Sequence, residues 1–168
     1  GPADVTARDQ ITAFLPRWEQ AAASRPRPRL RVRALAAYWA GAAGDARTAL
    51  DQLSQLHAEW QQLFGPESPE TLTLRLRIAR FMGEAGDPTT ARDDLARILP
   101  IRTRVSGPRH PQTLTVRYWL AQFIAAAGDQ PRARDELTRL LPVRNEVSGP
   151  LHPDTIAINT ALARVHAN

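Results

Sequence analysis

The sequence predicts an all-α chain, a solenoid of antiparallel helix pairs with about seven helices, and three observations carry that prediction. The first is a 42-residue repeat. Gly44-Asp45, Gly86-Asp87 and Gly128-Asp129 fall on it, as do Gly65-Pro66, Gly107-Pro108 and Gly149-Pro150. The second is apolar spacing by threes and fours within each half-repeat, as in Leu72, Leu76, Ala79 and Met82, or Ala133, Leu137, Leu140 and Leu141. The third is helix punctuation at fixed offsets. A period of this length marks stacked units, none of which can bury its apolar face alone.

Each repeat reads as helix A, a tight turn, helix B and a loop. Ser68, His110 and His152 stand where an N-cap belongs, each followed by Pro, whose missing N–H costs nothing at the first helical position. Gly44, Gly86 and Gly128 stand where helix A must reverse, a left-handed position cheapest for Gly. Asp45, Asp87 and Asp129 then cap helix B. Shifted by multiples of 42, Ala7, Asp9, Ile11, Phe14 and Leu15 fall on Ala91, Asp93, Leu95, Ile98 and Leu99. The segment 4–23 is therefore expected to be a helix B without its helix A, and 149–168 a helix A without its helix B. The expected order is B, A-B, A-B, A-B, A.

The domain reading is one array over 4–168, with full repeats at 27–64, 65–106 and 107–148. Residues 1–3 are set aside, since Gly1-Pro2 reads as the scar of a cleaved tag. Pro16, Pro100 and Pro142 lie inside helices B, where the fourth equivalent is Ala58. Kinks are expected at the three prolines, and a straight helix over 46–64.

The composition narrows the chemistry. The 168 residues contain no Cys, which excludes disulfides, thiolate metal sites and cysteine nucleophiles and fits a reducing compartment. No apolar run approaches the roughly 20 residues of a membrane span. No signal peptide is legible, so the expected location is cytoplasmic with no membrane contact. All 22 basic residues are Arg, which a GC-rich genome explains, and the net charge of +5 leaves a mild preference for anionic partners.

The pairs Leu120-Ala121 with Gly128 and Ala133, and Ile78-Ala79 with Gly86 and Ala91, resemble tetratricopeptide repeats. The loops Gly107-Pro-Arg-His-Pro111 and Gly149-Pro-Leu-His-Pro153 are similar to those of the 42-residue, kinesin-light-chain-like variety. That resemblance implies a right-handed superhelix, with A helices lining a concave groove and B helices behind them, and it implies no catalysis. In GC-rich, actinobacterial-type bacteria such arrays accompany serine/threonine kinases and NTPase-type transcriptional regulators. The implied role is the regulatory or scaffolding part of a larger protein.

By the same resemblance the groove positions are Ala34, Leu35 and Tyr38, then Leu76, Arg77 and Arg80, then Tyr118, Trp119 and Gln122, then Thr160, Ala161 and Arg164. One turn earlier stand Arg31, Thr73, Thr115 and Ala157. The Asn that related repeats often carry at the first position is replaced by Ala34, Leu76, Tyr118 and Thr160, which removes its bonds to a peptide backbone. The expected partner-binding residues are Arg31, Tyr38, Arg77, Arg80, Tyr118, Trp119, Gln122 and Arg164. Arg forks suit carboxylate or phosphate, and aromatics anchor interfaces, so the expected partner is an acidic or phosphorylated, partly apolar protein segment. The competing expectation is that these aromatics pack between repeats and the Arg side chains are solvated or paired with Glu84.

Two alternatives stand beside this one. Exposed end helices imply self-association into a homo-oligomer, or docking onto the rest of a parent chain. The stretch Arg25–Arg33 is the densest in charge and suits phosphate or nucleic acid, although a solvated loop accounts for it better. Arg33, Arg75 and Arg117 recur at one position, where an ion pair with a helix-B Asp is expected. His110 and His152 sit in successive repeats, too far apart to share a metal ion, and read as caps. No catalytic, cofactor-binding or metal-binding set is expected.

Overall fold

Helix boundaries fall where the capping residues dictate. The computed structural model describes residues 25–167, which contain seven α-helices. They are α1 (Pro26–Ala42), α2 (Ala46–Phe64), α3 (Pro69–Glu84), α4 (Pro88–Ser106), α5 (Pro111–Ala126), α6 (Gln130–Ser148) and α7 (Pro153–Ala167). They fill the A-B, A-B, A-B, A places of the predicted order. The leading helix B expected at 4–23, with Pro16, lies outside the described residues, as do residues 1–3.

The A-to-B turn is built from two residues. Gly44 has φ +111°, its N–H donates to the Gly41 carbonyl at 2.9 Å, and the Asp45 N–H donates to the Ala40 carbonyl at 3.1 Å. These two bonds satisfy the last carbonyls of α1 in a Schellman motif. The Asp45 carboxylate then accepts from the Thr48 N–H at 3.1 Å and starts α2. Gly128 and Asp129 repeat the arrangement between α5 and α6. At α4, the Thr90 backbone and side chain both bond Asp87 and hold its carboxyl below the usual carboxylate range.

Helices A start as predicted, with one exception. The Ser68 hydroxyl accepts from the Thr71 N–H at 3.1 Å. Nδ1 of His110 accepts from the Gln112 N–H, and Nδ1 of His152 from the Asp154 N–H, both at 3.2 Å. These acceptors require neutral imidazoles with the proton on Nε2. The exception is α1, where Arg25 makes no side-chain cap. There Pro26 opens the helix directly, so Arg27 to Arg33 stand on a helix and not on the expected loop. Pro100 and Pro142 lie inside α4 and α6, which continue through them. Among the described residues no helix is long and apolar enough to cross a membrane.

The chain divides into two compact units, which within the described residues are 25–85 and 86–167. In the first, Leu30, Ala34 and Ala37 of α1 meet Ala49, Leu53, Leu56 and Trp60 of α2, with Leu74 and Phe81 of α3. Burying a side chain such as Leu53 contributes about 2 kcal/mol relative to leaving it in water. The fit is tight at Gly41. A Cβ there would stand 2.3 Å from the Phe81 ring and 2.7 Å from the Ala49 methyl. In the second unit, Leu114 and Ala121 of α5 meet Leu137 and Leu140 of α6, and Ile158 and Ala161 of α7. Ala34, Leu76 and Ala161, assigned to the groove by resemblance, are thus core residues.

Candidate functional site

In the first unit, the repeat places residues 38 and 80 at the same position of successive A helices, and their side chains meet. The Arg80 guanidinium donates from Nη1 to the Tyr38 hydroxyl at 3.3 Å and from Nε to Glu84 at 2.9 Å. Its Cζ stands 5.6 Å from the Tyr38 ring centroid and 5.1 Å from that of Phe81. Arg77, one turn earlier on α3, lies closer to the same ring, with Cζ 4.7 Å from the Tyr38 centroid. A guanidinium over an aromatic face at this range is attracted by the ring quadrupole.

The two arginines differ in compensation. Arg80 is neutralised by Glu84, with both side chains mostly covered. Arg77 makes no ion pair among the described residues. Burial lowers its pKa first; Arg80 adds to that effect and Tyr38 opposes it. It remains a cation at neutral pH, since Arg titrates far above it. Tyr38 therefore carries a half-buried guanidinium with no ion-pair partner among the described residues. Such a fork suits a carboxylate or phosphate.

Arg31 does not join that cluster. It faces Glu70 at 3.4 Å and lies 5.2 Å from the Phe64 centroid. Its neighbours in the basic stretch are engaged likewise: Arg27 donates to the Leu63 carbonyl at the end of α2, and Arg29 pairs with Glu59 at 3.3 Å. Arg75 and Arg117 form no ion pair among the described residues, so the expected partnership with a helix-B Asp is absent there. Arg75 instead stands near His57 of α2, whose pKa is lowered by burial and then by that charge.

In the second unit the predicted residues separate into packed and exposed sets. The Tyr118 and Trp119 rings make an edge contact at 5.3 Å, and Trp119 stacks on Phe123 at 5.8 Å. Tyr118 also packs on the core of that unit. Gln122 is half-buried and Arg164 exposed. Packing thus explains part of the aromatic pattern.

Sequence reasoning passed over Arg102 and Arg144, the largest fully buried side chains among the described residues, each 1% exposed. They are 42 residues apart, aligned with Trp60, on the apolar face of helix B. That alignment was the available signal. Arg144 Nη2 pairs with Asp154 at 2.8 Å and donates to the Thr115 hydroxyl at 2.9 Å, while its Nε and Nη1 find no hydrogen-bond partner among the described residues. Burial lowers the pKa of Arg144, and Asp154 opposes that shift.

These features define an all-α helical-repeat fold like that of tetratricopeptide repeats. Residues 71–112 match the family model described as tetratricopeptide repeat. Among solved structures, the chain resembles a Podosopora anserina protein described as a putative kinesin light chain with nearly identical TPR-like repeats. A single-substitution variant of that protein is 21% identical at a TM-score of 0.71, over 99% of this chain and 82% of that one. Another structure of those Podosopora anserina repeats aligns at 0.68, also with 21% identity, over 99% and 83% of the two chains. BtubC (BKLC) from P. vanneervenii aligns at 0.74 with 17% identity, over 98% of this chain and 66% of that one. No curated protein matches the sequence.

Proposed function

We propose that this chain is a non-catalytic, cytoplasmic protein-binding array over 4–168 that holds an acidic or phosphorylated, partly apolar protein segment on its A-helix faces. Its place is the regulatory or scaffolding part of a larger bacterial signalling or transcription-regulating protein. The observation that supports this reading is Arg77, a half-buried cation stacked on Tyr38 and matched by no carboxylate among the described residues. A segment bringing a carboxylate or phosphate there would supply the missing charge. In the second unit, Trp119, Gln122 and Arg164 offer apolar and polar contacts of their own.

The test is fluorescence anisotropy with labelled peptides that pair Leu or Trp with Glu, with phosphoserine or with neutral Gln. Binding of the Glu or phosphoserine peptides, none of the Gln peptide, and at least about a tenfold loss in Arg77→Glu is the expected pattern. Equal binding of all three peptides, or an unchanged affinity in Arg77→Glu, would sink it.

A further inference from the structure

Residues 77, 80 and 84 are spaced by three and four on α3, so they form one row along the helix, beside Tyr38 of α1. The row holds two cations and one anion. Arg77 and Arg80 place Cζ at 4.7 Å and 5.6 Å from the same ring centroid, and Glu84 accepts from Arg80 Nε at 2.9 Å. What is left over is a single positive charge, and it belongs to Arg77, which has no carboxylate partner among the described residues. The pair of Arg80 and Glu84 is not a loose surface contact. The two side chains are 20% and 29% exposed, and Arg80 Nη1 also donates to the Tyr38 hydroxyl at 3.3 Å. Such cover weakens screening by salt, so an anion that reaches Arg80 feels Glu84. The two guanidiniums sense each other as well: burial first, and then the charge of Arg80, lower the pKa of Arg77.

A carboxylate and a phosphate fare differently at such a row. A carboxylate brings one negative charge, which matches the surplus at Arg77 and leaves Arg80 with Glu84. A phosphoserine brings about −1.5 to −2 at neutral pH, of which only the first unit is matched. The rest would need Arg80, whose Nε already faces the like charge of Glu84. Covered surroundings add to that penalty, because the cost of desolvating an ion rises with the square of its charge while the attraction rises only in proportion. Packing does not explain an acid at this place. The aligned positions 42 and 126 are both Ala.

We infer that Glu84 is a specificity-determining residue, which sets the Tyr38 site for a side-chain carboxylate and turns a phosphate away. The inference rests on the proposed binding of an acidic segment through Arg77, and it narrows the ligand to one of the two acid groups. A charge placed against the wrong ligand is a general route to specificity.

Fluorescent, C-terminally amidated peptides that join Leu and Trp to either Glu or phosphoserine test this by anisotropy. Amidation leaves the side chain as the acid group of each peptide. The wild type is expected to bind the Glu peptide more tightly than the phosphoserine peptide. Glu84→Gln should shift the ratio of the two affinities by about tenfold or more toward phosphoserine, because the repelling charge is gone and Arg80 can turn to the second charge of the phosphate. Adding Arg80→Gln to Glu84→Gln should abolish that shift, which separates the action of Arg80 from any loosening at the end of α3. A ratio unchanged in Glu84→Gln overturns the inference. So does a shift that survives the loss of Arg80, or a wild type that prefers phosphoserine. In each of those cases an acidic segment still binds, and the reading it rests on stands. If the wild type, folded by circular dichroism, binds neither peptide, both are overturned together.

Discussion

The two compact units share one register and solve the same packing position in opposite ways. In the first, position 60 is Trp, its ring tilted against that of Phe64 at 4.9 Å, and the charged pair Arg31 with Glu70 stays at the surface. In the second, the aligned position 144 is Arg, fully buried and held by Asp154 and Thr115. The repeat thus prescribes a large side chain from helix B at this place but not its polarity. At Arg144 the carboxylate comes from the first turn of the next helix A, a position that also suits the positive end of that helix, whereas Arg102 is as deeply buried before a helix A with no acidic residue in its first turn. Position 60 relies on apolar volume, position 144 on charge matching. Mutations should therefore damage the two through different mechanisms.

The largest effect is expected in the first unit. Trp60→Ala removes an aromatic from the core and should cost about 4 kcal/mol, read as lost amide protection across α1 to α3. The loss should not depend on salt. In the second unit, Asp154→Ala leaves Arg144 buried without its carboxylate. The expected cost is about 2 kcal/mol, below the value for a fully buried pair because Asp154 is half exposed. Adding Arg144→Met to Asp154→Ala should recover most of it, since an apolar side chain of similar size needs no counter-charge. If the double variant is as unstable as Asp154→Ala alone, the account of position 144 is wrong.

Gly41→Ala sharpens the contrast in packing density. Its methyl meets the Phe81 ring and the Ala49 methyl, and about 2 kcal/mol of overpacking is expected. Trimming the ring with Phe81→Val should make that methyl cheaper. The double variant should then be less damaged than the two single costs combined. The aligned positions 84 residues on already carry the smaller combination, Ala125 with Val165.

The capping framework should not distinguish the units. Asp45→Ala and Asp129→Ala each remove one N-cap bond, and each should cost about 1 kcal/mol by denaturant titration followed helix by helix. A much larger loss in one unit would show that its turn does more than cap.

The smallest effect concerns pH. His57 in the first unit has its pKa lowered by burial and by Arg75. A depressed histidine contributes stability that is fully present above its unfolded value of about 6.5 and lost as pH falls through its folded value. The thermal midpoint should fall more between about pH 7.5 and about pH 5 in the wild type than in His57→Leu. Leu is already the residue at aligned positions 99 and 141. Subtracting the variant isolates His57 from the other ionisable groups.

The helices, their turns and their caps were legible in the sequence because they depend on local chemistry repeated at fixed offsets. Gly44, Asp45, Ser68 and His152 act within a few residues of themselves. Arg31, Arg80 and Arg144 were a different matter. Whether an arginine stands in solvent, stacks on a ring or crosses the core depends on residues 29 to 42 positions away, such as Thr115, Glu70 and Tyr38. Resemblance named Arg31 and Arg77 alike, yet one has a carboxylate and the other has none among the described residues. Periodicity could align Arg102 and Arg144 with Trp60. It could not say that a cation there would be buried.

The Gly-Asp turn has a consequence for how such a chain can vary. Asp45 donates the closing bond of one helix with its N–H and opens the next with its carboxylate. One residue serves two helices, and nothing lies between them to absorb a change in length. An inserted or deleted residue at Gly44-Asp45 or Gly128-Asp129 must break either the end of helix A or the start of helix B. Length variation is therefore channelled to the Gly-Pro connections, and the spacing between paired helices is kept by hydrogen bonding inside the turn itself.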